Sequence, residues 1–273
     1  MIIIVIILFY LSLYNSFLFK NKISPDTAQL IKYNLGNSIL NKIKNNIKND
    51  TSEFSIDDKK VIKIAPGGLN GYYMMGICTY IKEHYDLDNY IFSGASAGAW
   101  NSLYMCYKGN TTTFHNNILN LNFDNVTSLL EIQHLLKNNI MKKFSEEDFD
   151  LNRLFIGVTI FDKWGFQNTI FSKFTSLEDA VECCIASSHI PLITGGFFNI
   201  YKNFYAFDGG FSVNPYIKKN ETMFIRYNMW SKKRTCPLDI ISYNITEYNF
   251  TQSFINGYND SKNNKQILDK YLI

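Results

Sequence analysis

The chain has 273 residues, 46% of them apolar, a composition that suits one large α/β domain and excludes a disordered chain. Its net charge is +3 and its lysines are scattered among asparagines, so it has no basic patch of the kind that binds nucleic acid. Five cysteines at irregular spacing, with no CxxC, argue against both a zinc site and a disulfide framework.

The first segment, "MIIIVIILFYLSLYNSFLF", is almost wholly apolar and long enough to cross a bilayer. No basic residue precedes it and no Ala-x-Ala-like site follows it, which favours an uncleaved anchor over residues 1–22 above a cleaved signal and secretion. Lys20 and Lys22 flank its C-terminal side, so the domain beyond is expected in the cytosol. Residues 23–58 are polar and read as a linker. Sequons at Asn110, Asn125 and Asn244 are what chance produces in so Asn-rich a chain.

The pattern changes at Lys59, and residues 59–273 are expected to hold the folded domain. "KKVIKIAP" and "NYIFS" read as short buried strands, and "YYMMGICTYIKEHY" and "SAGAWNSLYMCY" as the helices that follow them. "SLLEIQHLLKNNIMKKF" is amphipathic, and "RLFIGVTIF" and "NTIFSKF" read as strands. "SLEDAVECCIASSHI" predicts a helix behind a Ser N-cap with acidic residues in its first turn. "TMFIRYN" and "LDIISYN" close the series as late strands. Strands alternating with helices predict a largely parallel sheet with helices on both faces.

Three motifs carry chemistry. "GASAGAW" places Ser96 between Gly94 and Gly98, where a strand turns into a helix, which is the context of a nucleophile elbow. A turn this sharp crowds its neighbours, and residues without Cβ relieve the crowding. "PGGLNG" also joins a strand to a helix and admits three readings. A dinucleotide loop lacks its first glycine, because Pro66 stands there, and a P-loop lacks its Gly-Lys-Ser/Thr. An oxyanion hole from the N–H groups of Gly67 and Gly68 fits an acyl-transfer site, and a structural turn is the alternative. "YAFDGGFSVNP" ends an apolar run on Asp208, followed by Gly209 and Gly210. Asp208 is either a base close to the serine or part of an Asp-Gly hairpin turn.

A Ser-His-Asp triad in α/β-hydrolase order is hard to build. His115, His134 and His189 follow Ser96, but none lies in a loop after a late strand. Each reads as a surface or packing residue.

Taken together, "PGGLNGYYMMGICTYIKEH", "FSGASAGAW" and "AFDGGFSVNP" resemble the patatin-like phospholipases, with the nearest likeness to the adipose triglyceride lipase and adiponutrin branch. "ASSHIPLITGGFFNIYKNFYAFDGG" is similar to the family's approach to its Asp, and the resemblance covers about Lys59 to Pro215. It implies a three-layer α/β/α sandwich with a central, mostly parallel sheet. It implies Ser96 as nucleophile, Asp208 as base, and the N–H groups of Gly67, Gly68 and Ala97 as oxyanion donors, with Gly71, Gly94, Gly98, Gly209 and Gly210 as motif glycines. No metal and no cofactor are implied, and the substrates would be phospholipids or glycerolipids at a membrane or lipid-aggregate surface. Two departures stand out. Pro66 replaces the first loop glycine and cannot donate a hydrogen bond, and Asn70 stands where many members carry Arg or Lys. Two other functions stay open: a catalytically weak lipid-binding protein, motivated by Pro66, and an esterase or acyltransferase that depends on His189.

Overall fold

The computed structural model describes residues 56–123, 126–162, 165–230 and 245–273. Residues Ser55–Ile273 form one compact unit. Among the described residues its centre is a seven-stranded sheet. Strands β1 (Lys60–Ile64), β2 (Tyr90–Ala95), β3 (Leu154–Asp162) and β7 (Met223–Ile225) run parallel in the order β7-β1-β2-β3. Three antiparallel strands extend this core beyond β3: β4 (Gly165–Phe171), β5 (Asn199–Tyr201) and β6 (Phe204–Phe207). Seven α-helices flank the sheet among the described residues: α1 (Gly71–His84), α2 (Ala97–Met105), α3 (Thr111–Leu119), α4 (Leu129–Lys143), α5 (Leu177–Ser187), α6 (Phe250–Asn263) and α7 (Lys265–Leu272). The result is the expected mixed α/β fold with a central, mostly parallel sheet.

The strands show why they read as continuous apolar runs. Val61, Ile62 and Ile64 of β1 have no exposed surface, because a parallel strand in mid-sheet is covered on both faces. Side chains still alternate. Ile62, Ile64, Phe92, Leu154 and Ile156 enter the main core, whereas Val61, Ile91 and Phe155 form a small second cluster with Ile56, Ile170 and Ile217. Burying each such side chain contributes roughly 1.5–3 kcal/mol.

Helix starts follow their caps. Ser176 accepts the N–H of Asp179 at the head of α5, as its sequence predicts. Ser128 and Glu131 form a capping box on α4. Asn110 uses its side-chain oxygen to accept the N–H of Thr112 at the head of α3. Cys78, Cys106, Cys183 and Cys184 are buried as small hydrophobes.

Two expectations fall outside this description: the late strand "LDIISYN" and most of the 23–58 linker. One is corrected. A single N-terminal membrane anchor, with the domain held in the cytosol, is not supported, because among the described residues no helix is long and apolar enough to cross a membrane. The longest of them, α4, has only 15 residues, against the ~20 apolar residues a span needs. Residues 1–22 themselves lie outside the described residues.

Candidate active site

The site forms where two strands end against a third. On β3, β4 occupies one edge from Ile156 to Asp162, so β2 and β6 must share the other. Parallel β2 runs along that edge until Ala95 pairs with Gly157. Antiparallel β6 comes from the opposite end until Phe207 pairs with Thr159. The next residue of each strand, Ser96 and Asp208, meets its counterpart opposite Val158.

Ser96 sits on a sharp turn, with φ 55° and ψ −127°, a left-handed backbone that a non-glycine residue adopts only under constraint. The flanking glycines explain how the turn closes. A Cβ on Gly94 would come within 2.1 Å of the Gly98 carbonyl oxygen, and one on Gly98 within 2.1 Å of the Ile64 carbonyl oxygen. Elbow, helix and β1 therefore pack backbone to backbone. Ser96 is the N-cap of α2, yet its hydroxyl makes no capping bond. It donates instead to Asp208 Oδ2 at 2.6 Å.

Asp208 is fixed on every side. Gly210 N–H donates to its Oδ1 at 2.6 Å, its own N–H donates to the His189 carbonyl at 2.7 Å, and Thr159 Oγ1 donates to its carbonyl at 2.9 Å. Ser96 is 6% exposed and Asp208 4%. Burial pushes the Asp208 carboxyl up to about 6, against the opposing pull of the Ser96 and Gly210 hydrogen bonds.

Ser96 opens into a cavity of about 110 Å³ with mostly apolar walls, among them Leu69, Met75, Ile132 and Leu136. Gly68 and Ala97 line it and Gly67 does not. Gly68, at φ 53°, opens the short 3-10 turn Gly68–Asn70, and the Gly67 carbonyl accepts the N–H of Asn70. Gly71 also lines the cavity, against Ala97. Gly209 packs against the Gly157 carbonyl behind Asp208, and Gly210 lies beside Pro66.

Against this geometry, residues 64–218 match the patatin-like phospholipase family, a span of more than half the chain. The chain belongs to the patatin-like phospholipase family. That membership supports lipid acyl hydrolysis as its general activity. A search of curated proteins finds no match.

For a patatin-like phospholipase, the histidines are informative. The buried His189 ring has its Nδ1 3.4 Å from Thr194 Oγ1 and lies against the backbone of Gly196 and Phe197. Burial lowers its pKa. It touches the site through its backbone carbonyl, which holds Asp208. His115 packs on Phe254, and His134 lies on α4 beside a separate surface hollow.

Three further residues serve the site in ways their sequence context does not announce. Ser187, in the last turn of α5, accepts the Ser96 N–H at 2.8 Å and donates to the Gly157 carbonyl at 2.6 Å, tying the elbow to β3. Trp100 Nε1 donates to Ser188 Oγ at 3.0 Å. Gln133 Nε2 donates to the Ser188 carbonyl at 3.0 Å, which fixes one cavity wall. Only the stretch "ASSHIP" hinted at this region. Its contacts depend on tertiary packing that no local pattern encodes.

Proposed function

We propose that this protein is a serine lipid acyl hydrolase that works through a Ser96–Asp208 dyad. The observation that carries the reading is the 2.6 Å hydrogen bond between two buried groups, donated by Ser96 Oγ to Asp208 Oδ2. The serine proton already points at its acceptor, and no histidine stands between them. Ser96 Oγ attacks the ester carbonyl carbon while its proton passes to Asp208 Oδ2. The N–H groups of Gly68 and Ala97 receive the developing oxyanion, with the positive end of the α2 dipole behind Ala97. Gly67 closes the loop behind them. The tetrahedral adduct then expels the alcohol, which takes the proton from Asp208, and the acyl group stays on Ser96. Water, deprotonated by the same carboxylate, releases the fatty acid and restores the serine.

A carboxyl raised to about 6 is a better base than an ordinary one, and it is ionised at neutral pH. The apolar cavity suits an acyl chain, so the substrates we assign are phospholipids or glycerolipids. Asn70 stands where many members carry a cation, but the adipose triglyceride lipase and adiponutrin branch that the chain resembles lacks that cation as well, so the departure is minor. Residues 59–273 would carry the whole catalytic unit. The test is product analysis on mixed phospholipid and glycerolipid vesicles, comparing native protein with Ser96→Ala. Fatty acid release by the native chain alone supports the reading, and equal release by both rejects it.

A further inference from the structure

Exposed large hydrophobic side chains are not spread evenly over this molecule. Of the fourteen among the described residues, eight lie between Leu192 and Val213. That is the stretch of chain running into and out of Asp208. A cluster of this kind at a surface marks an interaction site, whereas single exposed hydrophobes do not.

The stretch has an inner and an outer side. Ile190 and Thr194 line the cavity that holds Ser96, while Leu192, Phe197 and Phe198 of the same loop face outward. The loop is drawn closed by the Leu192 N–H donating to the Gly196 carbonyl at 3.1 Å. The Phe198 ring packs on Tyr205 at 4.4 Å, and Ile200 is the strand partner of Tyr205, so loop and β5–β6 hairpin present one continuous apolar surface. Beyond Asp208, Phe211 is about half exposed and Val213 wholly so. Both ends are tied to the base itself: the His189 carbonyl accepts the Asp208 N–H, and the Phe211 N–H donates to the Asp208 carbonyl.

The adjoining cavity points to the occupant. Between Leu192 and Val213 the only acidic residue is the buried Asp208, and the only basic one, Lys202, pairs with Asp179 of α5 at 3.0 Å. The face is thus apolar with one closed ion pair at its edge, and it borders the apolar cavity that Ile190 and Thr194 line, which suits a lipid.

We infer that the Leu192–Val213 face is a lipid-docking surface, which seats the mouth of the Ser96 cavity on a bilayer by inserting the 197–198 loop tip among the acyl chains. The inference rests on the acyl-hydrolase reading of the cavity, but its test needs no turnover. Aromatic and aliphatic side chains entering the headgroup–acyl boundary hold the protein there.

The experiment uses the full chain with Ser96→Ala in every sample, so that the vesicles stay intact. Phe197→Trp, and separately Ile255→Trp at an exposed position on α6, are mixed with phosphatidylcholine–phosphatidylserine vesicles whose acyl chains carry bromine. Fluorescence is read as the difference from the chain without the added tryptophan, and melting curves check that each variant folds. The expected result is a blue shift and strong quenching for the residue placed at 197, and neither for the one at 255. Adding Leu192→Ser and Phe198→Ser should weaken vesicle binding at the 197 probe by about tenfold or more. No response at 197, or the same response at both positions, overturns the inference. So does a blue-shifted signal at 197 before lipid is added, which would give the surface to another part of the chain. If that signal grew with protein concentration, the surface would belong to a second copy. Failure here with intact ester hydrolysis would remove the docking surface and leave the dyad standing.

Discussion

Ser96 and Asp208 share one register position on one edge of β3, although 112 positions separate them in sequence. A parallel and an antiparallel strand stop head to head opposite Val158, and each delivers one side chain of the proposed dyad at its end. The strands thus position the pair, and the loops between them are left to shape the cavity. The arrangement makes several outcomes measurable.

Ser187 holds the elbow. Replacing it by Ala leaves the Ser96 N–H and the Gly157 carbonyl buried without partners, at a cost of roughly 1–3 kcal/mol for each group. Ser187→Ala should therefore melt several degrees lower. Because the nucleophile would be misplaced and the acyl cavity kept, kcat should fall about tenfold with little change in KM. Steady-state kinetics on a soluble ester and a thermal melt check both effects.

If the proposed dyad is right, Asp208 sets the acid limb of the pH profile. The base works only as a carboxylate, so kcat/KM on a soluble ester should be level above the carboxyl's midpoint of about 6 and fall about tenfold per pH unit below it. Asp208→Asn should lose as much turnover as Ser96→Ala and should show no such limb. A limb unchanged in His189→Gln would assign it to the aspartate.

The same shift makes a stability prediction of opposite sign. Burial raises the Asp208 carboxyl from its ordinary range to about 6, so between those values the folded state binds more protons than the unfolded chain. Its ionised form thus opposes folding above about pH 6, and the opposition fades as pH falls. Asp208→Asn should be more stable than native protein at pH 8, by about 2–3 kcal/mol at most. The gain should shrink toward pH 4. Urea melts at the two pH values read the difference.

The cavity should set chain-length preference. Each CH₂ buried in it contributes roughly 0.8 kcal/mol, so kcat/KM should rise up to about fourfold per added methylene until the cavity fills. Leu136→Trp narrows one wall. It should bring the plateau to shorter acyl chains and leave the shortest esters nearly unaffected. A homologous series of nitrophenyl esters measures this.

Much of this was legible in the sequence, for identifiable reasons. Buried parallel strands read as unbroken β-branched runs, and the elbow, the glycine loop and Asp208 are local motifs at strand ends. Caps such as Ser176 are local too. What was not legible depends on non-local contact or on composition. β4 starts at Gly165, earlier than "NTIFSKF" suggests, because its pairing with β3 begins at Asp162. Helix α6 buries only Phe250, Phe254, Gly257 and Ser261 against an Asn-rich background, too thin a stripe to recognise. Ser187, Thr159 and Gln133 are ordinary residues until packing brings them to the elbow, the base and the cavity.

The most direct test of the dyad is covalent labelling with a fluorophosphonate, followed by peptide mass spectrometry. Only an activated serine reacts at a useful rate, and the adduct records which one. The account predicts a single adduct on Ser96, absent from Ser96→Ala and formed far more slowly in Asp208→Asn, with His189→Gln labelled at the native rate. An adduct on another serine, or undiminished labelling of Ser96 in Asp208→Asn, would contradict it.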